Sequence, residues 1–474
     1  MKILFAVSEA APFVKTGGLG DVAYALPKAL AAAGHEVRVF IPLYGNVKYN
    51  MKFIPELQYL TDTRTQLGWR NQYNGIFRYG RGGRNPEYYF IDNEYYFSRA
   101  DGYIYGNYDD GERFAFFSRA VIDAMGATGF VPDIIHCNDW QTALIPVFLR
   151  RFYPQYNGVR TVFTIHNIEY QGKMPMEFAA EVLGLGGAQT LEYDGCVNLM
   201  KGAIVASDAV TTVSETYAQQ IMDEFYSSGL HHILRDNRAK LHGILNGIDT
   251  AAFDPATDPA LFMNYSDKLA PKRRNKLFLQ EKLRLNPSEK QPLAVIISRL
   301  VRHKGMDIAA EAIDGVIGGG VQLAVLGTGD KCFEDAFRAA AERHPGKMAA
   351  CIAFDAELAS QMYAAADIFL MPSLSEPCGL SQMVAMRYGC VPVVRETGGL
   401  KDTVPAYDPE KKTGSGFTFV DYTTGELLRA VERCAALYRE EHPAFEAMQL
   451  HNMRRDFSWD KPVRKYERLY ESLL

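Results

Sequence analysis

Met371-Pro-Ser-Leu-Ser-Glu-Pro-Cys-Gly-Leu-Ser-Gln382, followed shortly by Pro392-Val-Val-Arg-Glu-Thr-Gly-Gly-Leu400, is the stretch from which the fold can be read. Asp367 to Met371 predicts an apolar strand, a polar elbow then carries Glu376, and a helix is expected from Gly379 to Tyr388. Val391 to Val394 predicts a buried strand, and Gly398-Gly399 marks a turn after it. Strand, elbow, helix and strand in this order belong to a parallel sheet wound with helices. In such sheets ligands gather outside the carboxyl ends of the strands, and both the elbow and the glycine turn follow strands. The stretch thus sets a carboxylate beside backbone amides expected to be free, a combination that suits a phosphorylated ligand.

The same alternation extends in both directions. Leu293 to Ile297, Val321 to Leu326 and Ala349 to Phe354 each predict a strand of this second half. In the first half, strand Lys2 to Val7 leads into Lys15-Thr-Gly-Gly-Leu-Gly-Asp21, an alanine- and leucine-rich helix ending near Gly34, and strand Glu36 to Ile41. Met51 to Asp110 reads as less regular and unusually aromatic, with Tyr88 to Phe97 and Tyr103, Tyr105 and Tyr108. Regular structure resumes with a helix after Glu112 and strands Asp133 to Cys137 and Arg160 to Ile165, and Ala209 to Val213 closes the half. A boundary follows Leu245-Asn-Gly-Ile-Asp249, and Phe253 to Pro292 is rich in Pro, Asp and Lys, with one charged helical run from Lys272 to Leu285. Since 474 residues exceed what one core usually serves, two doubly wound α/β domains are expected, residues 1–245 and 246–459. Thr16-Gly-Gly-Leu-Gly-Asp21 recurs as Thr397-Gly-Gly-Leu-Lys-Asp402, which we read as a shared turn mechanism offering N–H groups to an anion.

Composition narrows the class. No segment is long and apolar enough to span a bilayer, and the N-terminal apolar run reads as a first strand rather than an export signal. The seven Cys are scattered without a C-x-x-C pair, so neither a disulfide framework nor a zinc site is indicated and a reduced cytoplasm fits. A net charge of -5 with no basic run argues against a nucleic-acid partner.

Four constellations carry chemistry. Lys15 with Gly17 and Gly18 could cradle a diphosphate, or form a plain strand-to-helix turn with a solvated Lys. A nicotinamide site is disfavoured, because G-x-G-x-x-G is absent and the next strand runs into Ile41-Pro-Leu rather than an acidic residue. In Ser298-Arg-Leu-Val-Arg-His-Lys-Gly305, Arg299 can fork onto phosphate oxygens and Lys304 can add a point charge; the alternative is a solvated basic loop. His166-Asn167 and Asn138-Asp139 follow strands of the first half and could meet a sugar's hydroxyls, although a structural hydrogen bond is the commoner role of a lone His. His231-His232 has no metal-ligand spacing. Glu376 either acts on a ligand or caps the helix near Gly379.

Ser8-Glu-Ala-Ala-Pro-Phe-Val-Lys-Thr-Gly-Gly-Leu-Gly-Asp21, His136-Cys-Asn-Asp-Trp-Gln-Thr142, Thr164-Ile-His-Asn167, Asn246-Gly-Ile-Asp249, Ser298-Arg-Leu300 with Lys304-Gly305, and Glu376-Pro-Cys-Gly-Leu380 together resemble bacterial glycogen synthases and plant starch synthases, essentially end to end through Phe457-Ser-Trp459. The resemblance implies a GT-B fold, two facing Rossmann-like domains with the active site in the cleft between them, and a final helix of about 460–474 crossing back to the first domain. It implies transfer of glucose from ADP-glucose to the non-reducing 4-hydroxyl of an α-1,4-glucan with retention, without metal or cofactor. By motif position, Lys15, Arg299 and Lys304 would hold the diphosphate, and Asp21, Asn246, Phe354 and the Thr397-Gly398-Gly399 turn would contact the donor. His166, Asp139 and Glu376 would surround the transferred glucose, with Asn167 and Tyr95 on the acceptor side.

The chain departs from the family pattern at three places. Many relatives have Tyr where Phe354 stands, Arg and Phe where Leu374 and Ser375 stand, and, across retaining GT-B enzymes, a second Glu where Val384 stands. The last substitution tells against a two-carboxylate mechanism. A related transferase using UDP-glucose and a catalytically silent glucan-binding protein are the other two readings; the silent protein could lose Lys15, Arg299, Lys304 or Glu376, and all four are present.

Overall fold

Apolar runs without polar alternation are satisfied only in strands covered on both faces, and the structure uses them so. A computed structural model of the chain describes residues 1–83, 85–99 and 102–474 and divides into two compact units, Met1–Asn246 with Trp459–Leu474, and Gly247–Ser458.

In the first unit the strands are β1 (Lys2–Ala6), β2 (Glu36–Pro42), β3 (Leu57–Leu67), β4 (Arg70–Tyr79), β5 (Glu87–Asp92), β6 (Ile134–Asn138) and β7 (Arg160–Ile165). The short β8 (Lys173–Met174), β9 (Glu192–Tyr193) and β10 (Cys196–Asn198) come next, then β11 (Ala209–Thr212) and β12 (Leu241–Gly243). The main sheet has the order β12-β11-β7-β6-β1-β2-β5-β4-β3, parallel from β12 to β5 and antiparallel beyond, while β8, β10 and β9 form a small sheet of their own. Alternate residues of β1 enter different cores: Leu4 and Ala6 pack with the helix Asp110–Ala127, Ile3 and Phe5 with the helix Gly18–Ala32. The last helix, Asp460–Leu473, adds Val463, Tyr466, Leu469 and Tyr470 to the second of these cores, and the Tyr470 hydroxyl meets Nδ1 of buried His136 at 2.7 Å.

The segment read as irregular is corrected here. Within Met51–Asp110 the chain forms the β3–β4 hairpin and β5, which extend the sheet. Half of β3 faces water, so it carries Thr, Asp, Arg and Gln instead of an apolar run. β11 does not close this half either, since β12 pairs beside it.

In the second unit, β13 (Leu293–Ile297), β14 (Gln322–Leu326), β15 (Met348–Cys351), β16 (Ile368–Met371), β17 (Val391–Arg395) and β18 (Phe417–Phe419) make a parallel sheet of order β15-β14-β13-β16-β17-β18. The helix expected from Gly379 runs only from Ser381 to Arg387, because Gly379 sits at φ 70°, a left-handed conformation that a helix cannot continue through.

Both sheets reverse their winding at one place. From β1 the chain moves outward to β2, while β6 lies on the other side; from β13 it moves to β14, while β16 lies on the other side. The crevice at such a switch point, outside the carboxyl ends, is where doubly wound sheets take ligands.

Candidate active site

At the switch of the second sheet, the loop after β13 and the elbow after β16 meet. Lys304 ends a short 3-10 turn, Arg302–Lys304, and its ammonium donates to both carboxylate oxygens of Glu376, at 2.9 Å to Oε1 and 2.7 Å to Oε2. The Ser373 hydroxyl donates to Oε2 at 3.0 Å, and Glu376 is only 5% exposed. The turn can reach the elbow because of Gly305, whose φ is 79° and where a Cβ would lie 2.1 Å from the Pro372 carbonyl oxygen. The elbow is pinned from two more sides. His303 O accepts from Leu374 N at 3.0 Å, and the Arg395 guanidinium donates to Leu374 O at 2.7 Å. Glu376 therefore does not cap the following helix, as its carboxylate is taken by Lys304 and Ser373.

The glycine turn after β17 closes on the same elbow. Gly399 N donates to Glu376 O at 3.1 Å, so the amide expected to be free for an anion is used within the protein. Gly398 lies at φ 44°, and a Cβ there would fall 1.9 Å from Glu376 O. Thr397 is buried at the start of the helix Gly398–Thr403. Arg299 is exposed, and its guanidinium has no partner among the described residues. Phe354, just beyond β15, is 87% exposed and presents an open ring face.

At the switch of the first sheet, β1 is followed by the glycine loop and β6 by Asn138-Asp139. Asn138 Nδ2 donates to Ala6 O at 3.0 Å and His136 O at 3.4 Å, leaving Oδ1 as an acceptor. His166 Nε2 lies 2.9 Å from that Oδ1, so the proton is assigned to Nε2 and Nδ1 is the acceptor. Nδ1 has no partner among the described residues, and burial holds the His166 pKa down to about 3, so the ring stays neutral at ordinary pH. Asp139, at φ 55°, turns Oδ1 towards His166 N at 2.7 Å and Asn167 N at 3.4 Å. A strip of Asp139 still meets water, yet the surrounding protein desolvates it enough to push its pKa up to about 7. A neutral imidazole acceptor and a carboxylate that titrates near neutrality are suited to hold hydroxyl groups.

The remaining candidates are placed as follows. Lys15 Nζ pairs with Asp21 Oδ1 at 2.7 Å, and Gly17 and Gly18 are exposed, with nothing within 4 Å of a Cβ built on Gly17. Asn167 Oδ1 accepts from Glu169 N at 3.0 Å, a local turn. Asn246 is buried, and its Oδ1 has no hydrogen-bond partner among the described residues, a deficit that a ligand's donor would relieve. Tyr95, 65% exposed on the short helix Glu94–Phe97, shares a hydroxyl hydrogen bond with Tyr108 that raises its pKa. Sequence reasoning missed Ser373, Arg395 and Glu9. Ser373 stands in the quoted elbow, where its spacing of three from Glu376 was the available signal. Among the described residues, no group of three or more His, Cys, Asp or Glu could hold a metal ion, and no helix is long and apolar enough to cross a membrane.

Known proteins are similar to this chain along its whole length. A family model described as the starch synthase catalytic domain matches residues 2–236, and one for glycosyl transferases group 1 matches residues 279–443. A glycogen synthase of Desulfitobacterium hafniense is 45% identical over 100% of this chain and 99% of its own length. One from Streptococcus mutans is 46% identical, with both chains covered completely. The catalytic domain of Starch Synthase IV from Arabidopsis thaliana, solved bound to ADP and acarbose, superposes with a TM-score of 0.91 at 35% identity, over 100% of this chain and 99% of that one. A sucrose-phosphate synthase from Thermosynechococcus elongatus, at 16% identity and a TM-score of 0.62 over 100% of this chain and 98% of that one, shares the fold.

Proposed function

We propose, from the premise that the chain belongs to the family of bacterial glycogen synthases and plant starch synthases, that this glycosyltransferase takes glucose from ADP-glucose and adds it to the non-reducing end of an α-1,4-glucan with retention of configuration. The observation that carries the reading is the buried Glu376 carboxylate held by Lys304 at the switch point of the second sheet. The ADP found in the related starch synthase structure supports the choice of nucleotide.

In this reading Arg299 and Lys304, with Lys15, take the charge that develops on the departing ADP, so that no metal is required. Asp21, Asn246, Phe354 and the Thr397-Gly398-Gly399 turn serve the donor, Phe354 by stacking its open face on the adenine. His166 Nδ1 accepts from a glucose hydroxyl, Asp139 Oδ2 from another, and Asn167 and Tyr95 serve the acceptor side. In the reacting step the bond from the glucose C1 to the phosphate oxygen breaks. A bond from C1 to the acceptor's 4-oxygen forms on the same face, and the acceptor's proton passes to the leaving phosphate. Val384, buried where a second carboxylate would stand, offers no group for a double displacement. Glu376 orients the glucose and favours positive charge on its ring carbon.

Incubation with labelled ADP-glucose and glycogen, with a parallel UDP-glucose arm and with EDTA, tests the reading. Labelled polymer that is digested by an α-1,4-specific hydrolase, formed from ADP-glucose in preference to UDP-glucose and insensitive to EDTA, is expected. Absence of polymer from either donor would defeat it.

A further inference from the structure

We propose that Glu9 is a positioning residue for the donor: its carboxylate fixes the shape of the glycine loop that carries Lys15, and thereby sets the affinity for a nucleoside diphosphate. Glu9 follows β1 and is 1% exposed. Its Oε2 accepts from Thr16 N at 3.1 Å and from the Thr16 hydroxyl, and its Oε1 accepts from Gly20 N at 3.0 Å. One carboxylate therefore holds both ends of the segment Thr16–Gly20, with Gly17 and Gly18 exposed between them. The loop is further closed by Ala11 N donating to Gly20 O at 3.0 Å. At Gly20 a Cβ would press on Lys15 Cγ at 3.0 Å, so the absence of a side chain there lets Lys15 lie across the loop.

Among the described residues the Glu9 carboxylate has no cation partner, and the nearby Lys15 pairs with Asp21 instead. Its remaining bond is from the Tyr105 hydroxyl at 3.3 Å, which also meets the Ser8 hydroxyl at 2.7 Å. Burial raises its pKa, and the hydrogen bonds from Thr16, Gly20 and Tyr105 pull the other way. A carboxylate kept out of water without a counter-ion among the described residues, with its oxygens given mainly to one loop, is costly as a plain stabilising device. It is well suited to holding that loop in a single shape before a ligand arrives.

The inference rests on the reading that the Lys15 loop meets the donor diphosphate, and the test separates the two. ADP affinity is measured by calorimetry on the full chain for the wild type, Glu9→Gln, Thr16→Val, Lys15→Ala and the Glu9→Gln/Lys15→Ala double variant, with melting curves to verify folding. Gln has one acceptor oxygen and turns an NH₂ towards a loop donor, so Glu9→Gln should weaken ADP about tenfold, equivalent to ~1.4 kcal/mol. Thr16→Val, which removes the hydroxyl's bond to Glu9 and keeps the one from Thr16 N, should weaken it about threefold, and carries the test if Glu9→Gln does not fold. The double variant should lose clearly less than the product of the single effects, since both act through one loop. A folded Glu9→Gln with wild-type ADP affinity, or losses that simply multiply, would overturn the positioning role while Lys15→Ala still weakens ADP. Lys15→Ala with unchanged affinity would instead defeat the donor reading of the loop, and the inference with it.

Discussion

Replacing Glu376 by Gln separates catalysis from scaffolding, because the structure states what the carboxylate holds. Both of its oxygens face the Lys304 ammonium, at 2.9 and 2.7 Å, and one also accepts from Ser373. A Gln keeps one acceptor oxygen for Lys304 or Ser373 and places an NH₂ against the other donor. Removing the charge of a partly buried pair in this way should destabilise the second unit by about 1–2 kcal/mol, or roughly 2–8 °C in Tm. Lys304 is at the same time released from the anion that competes with phosphate for it, so the ADP Kd should stay within about threefold of the wild type. If the carboxylate favours positive charge on the ring carbon, kcat should fall by on the order of 10², or ~2.7 kcal/mol. Calorimetry with ADP, melting curves and steady-state rates on the same preparation decide the matter. A folded Glu376→Gln that binds ADP and turns over at near the wild-type rate would refute the catalytic role and leave Glu376 as a counter-ion for Lys304.

Two glycines should respond oppositely to Ala: Gly398→Ala, where a Cβ would overlap Glu376 O, should lose about 3 kcal/mol in thermal unfolding, whereas Gly17→Ala, in open space and extended backbone, should keep its Tm and lose donor affinity. The Asp139 pKa of about 7 should appear as an acid limb in kcat/KM between about pH 6 and 8, with activity rising as the carboxyl ionises. His166→Asn should leave the position of that limb unchanged, because His166 stays neutral down to about pH 3. His136 is neutral in the core with a pKa of about 3, so its contribution to stability is complete above its unfolded value and fades as pH falls below it. At ~1.4 kcal/mol per pH unit, His136 should account for about 2 kcal/mol lost between pH 6.5 and 5 in the transition of the first unit, beside a like contribution from His166, and His136→Gln should lose less by that amount in urea titrations at the two pH values.

The parallel strands were legible because burial on both faces leaves a run such as Leu293-Ala-Val-Ile-Ile297 with no polar residue to obscure it. β3 was not, because a strand with one face in water spells an alternation that Tyr59, Thr61 and Thr63 share with any polar loop. At the site, Lys304 and Glu376 could each be suspected from its place after a strand. Their pairing across 72 residues depends on β13 and β16 being neighbours, which is a property of strand order. Asn167 was singled out beside His166; that its Oδ1 also accepts from Glu169 N in a local turn is something no spacing rule reads from the sequence. Glu9 was passed over because an acidic residue just past a strand usually lies in water, and only the folded loop encloses it.

The return of the chain to the first unit at Trp459 has a consequence for biosynthesis. A ribosome delivers Met1–Asn246 first, but the helix bearing Tyr466 and Tyr470 is made only after the whole of Gly247–Ser458. His136 must therefore wait for a partner 334 residues downstream, and one face of the nascent β1 remains partly uncovered meanwhile. The unit begun first is the one completed last, while the intervening unit holds all of its own strands as soon as it emerges. A stop codon placed at Trp459 would accordingly spare the unit made second and leave an apolar face of the unit made first open to chaperones and proteases.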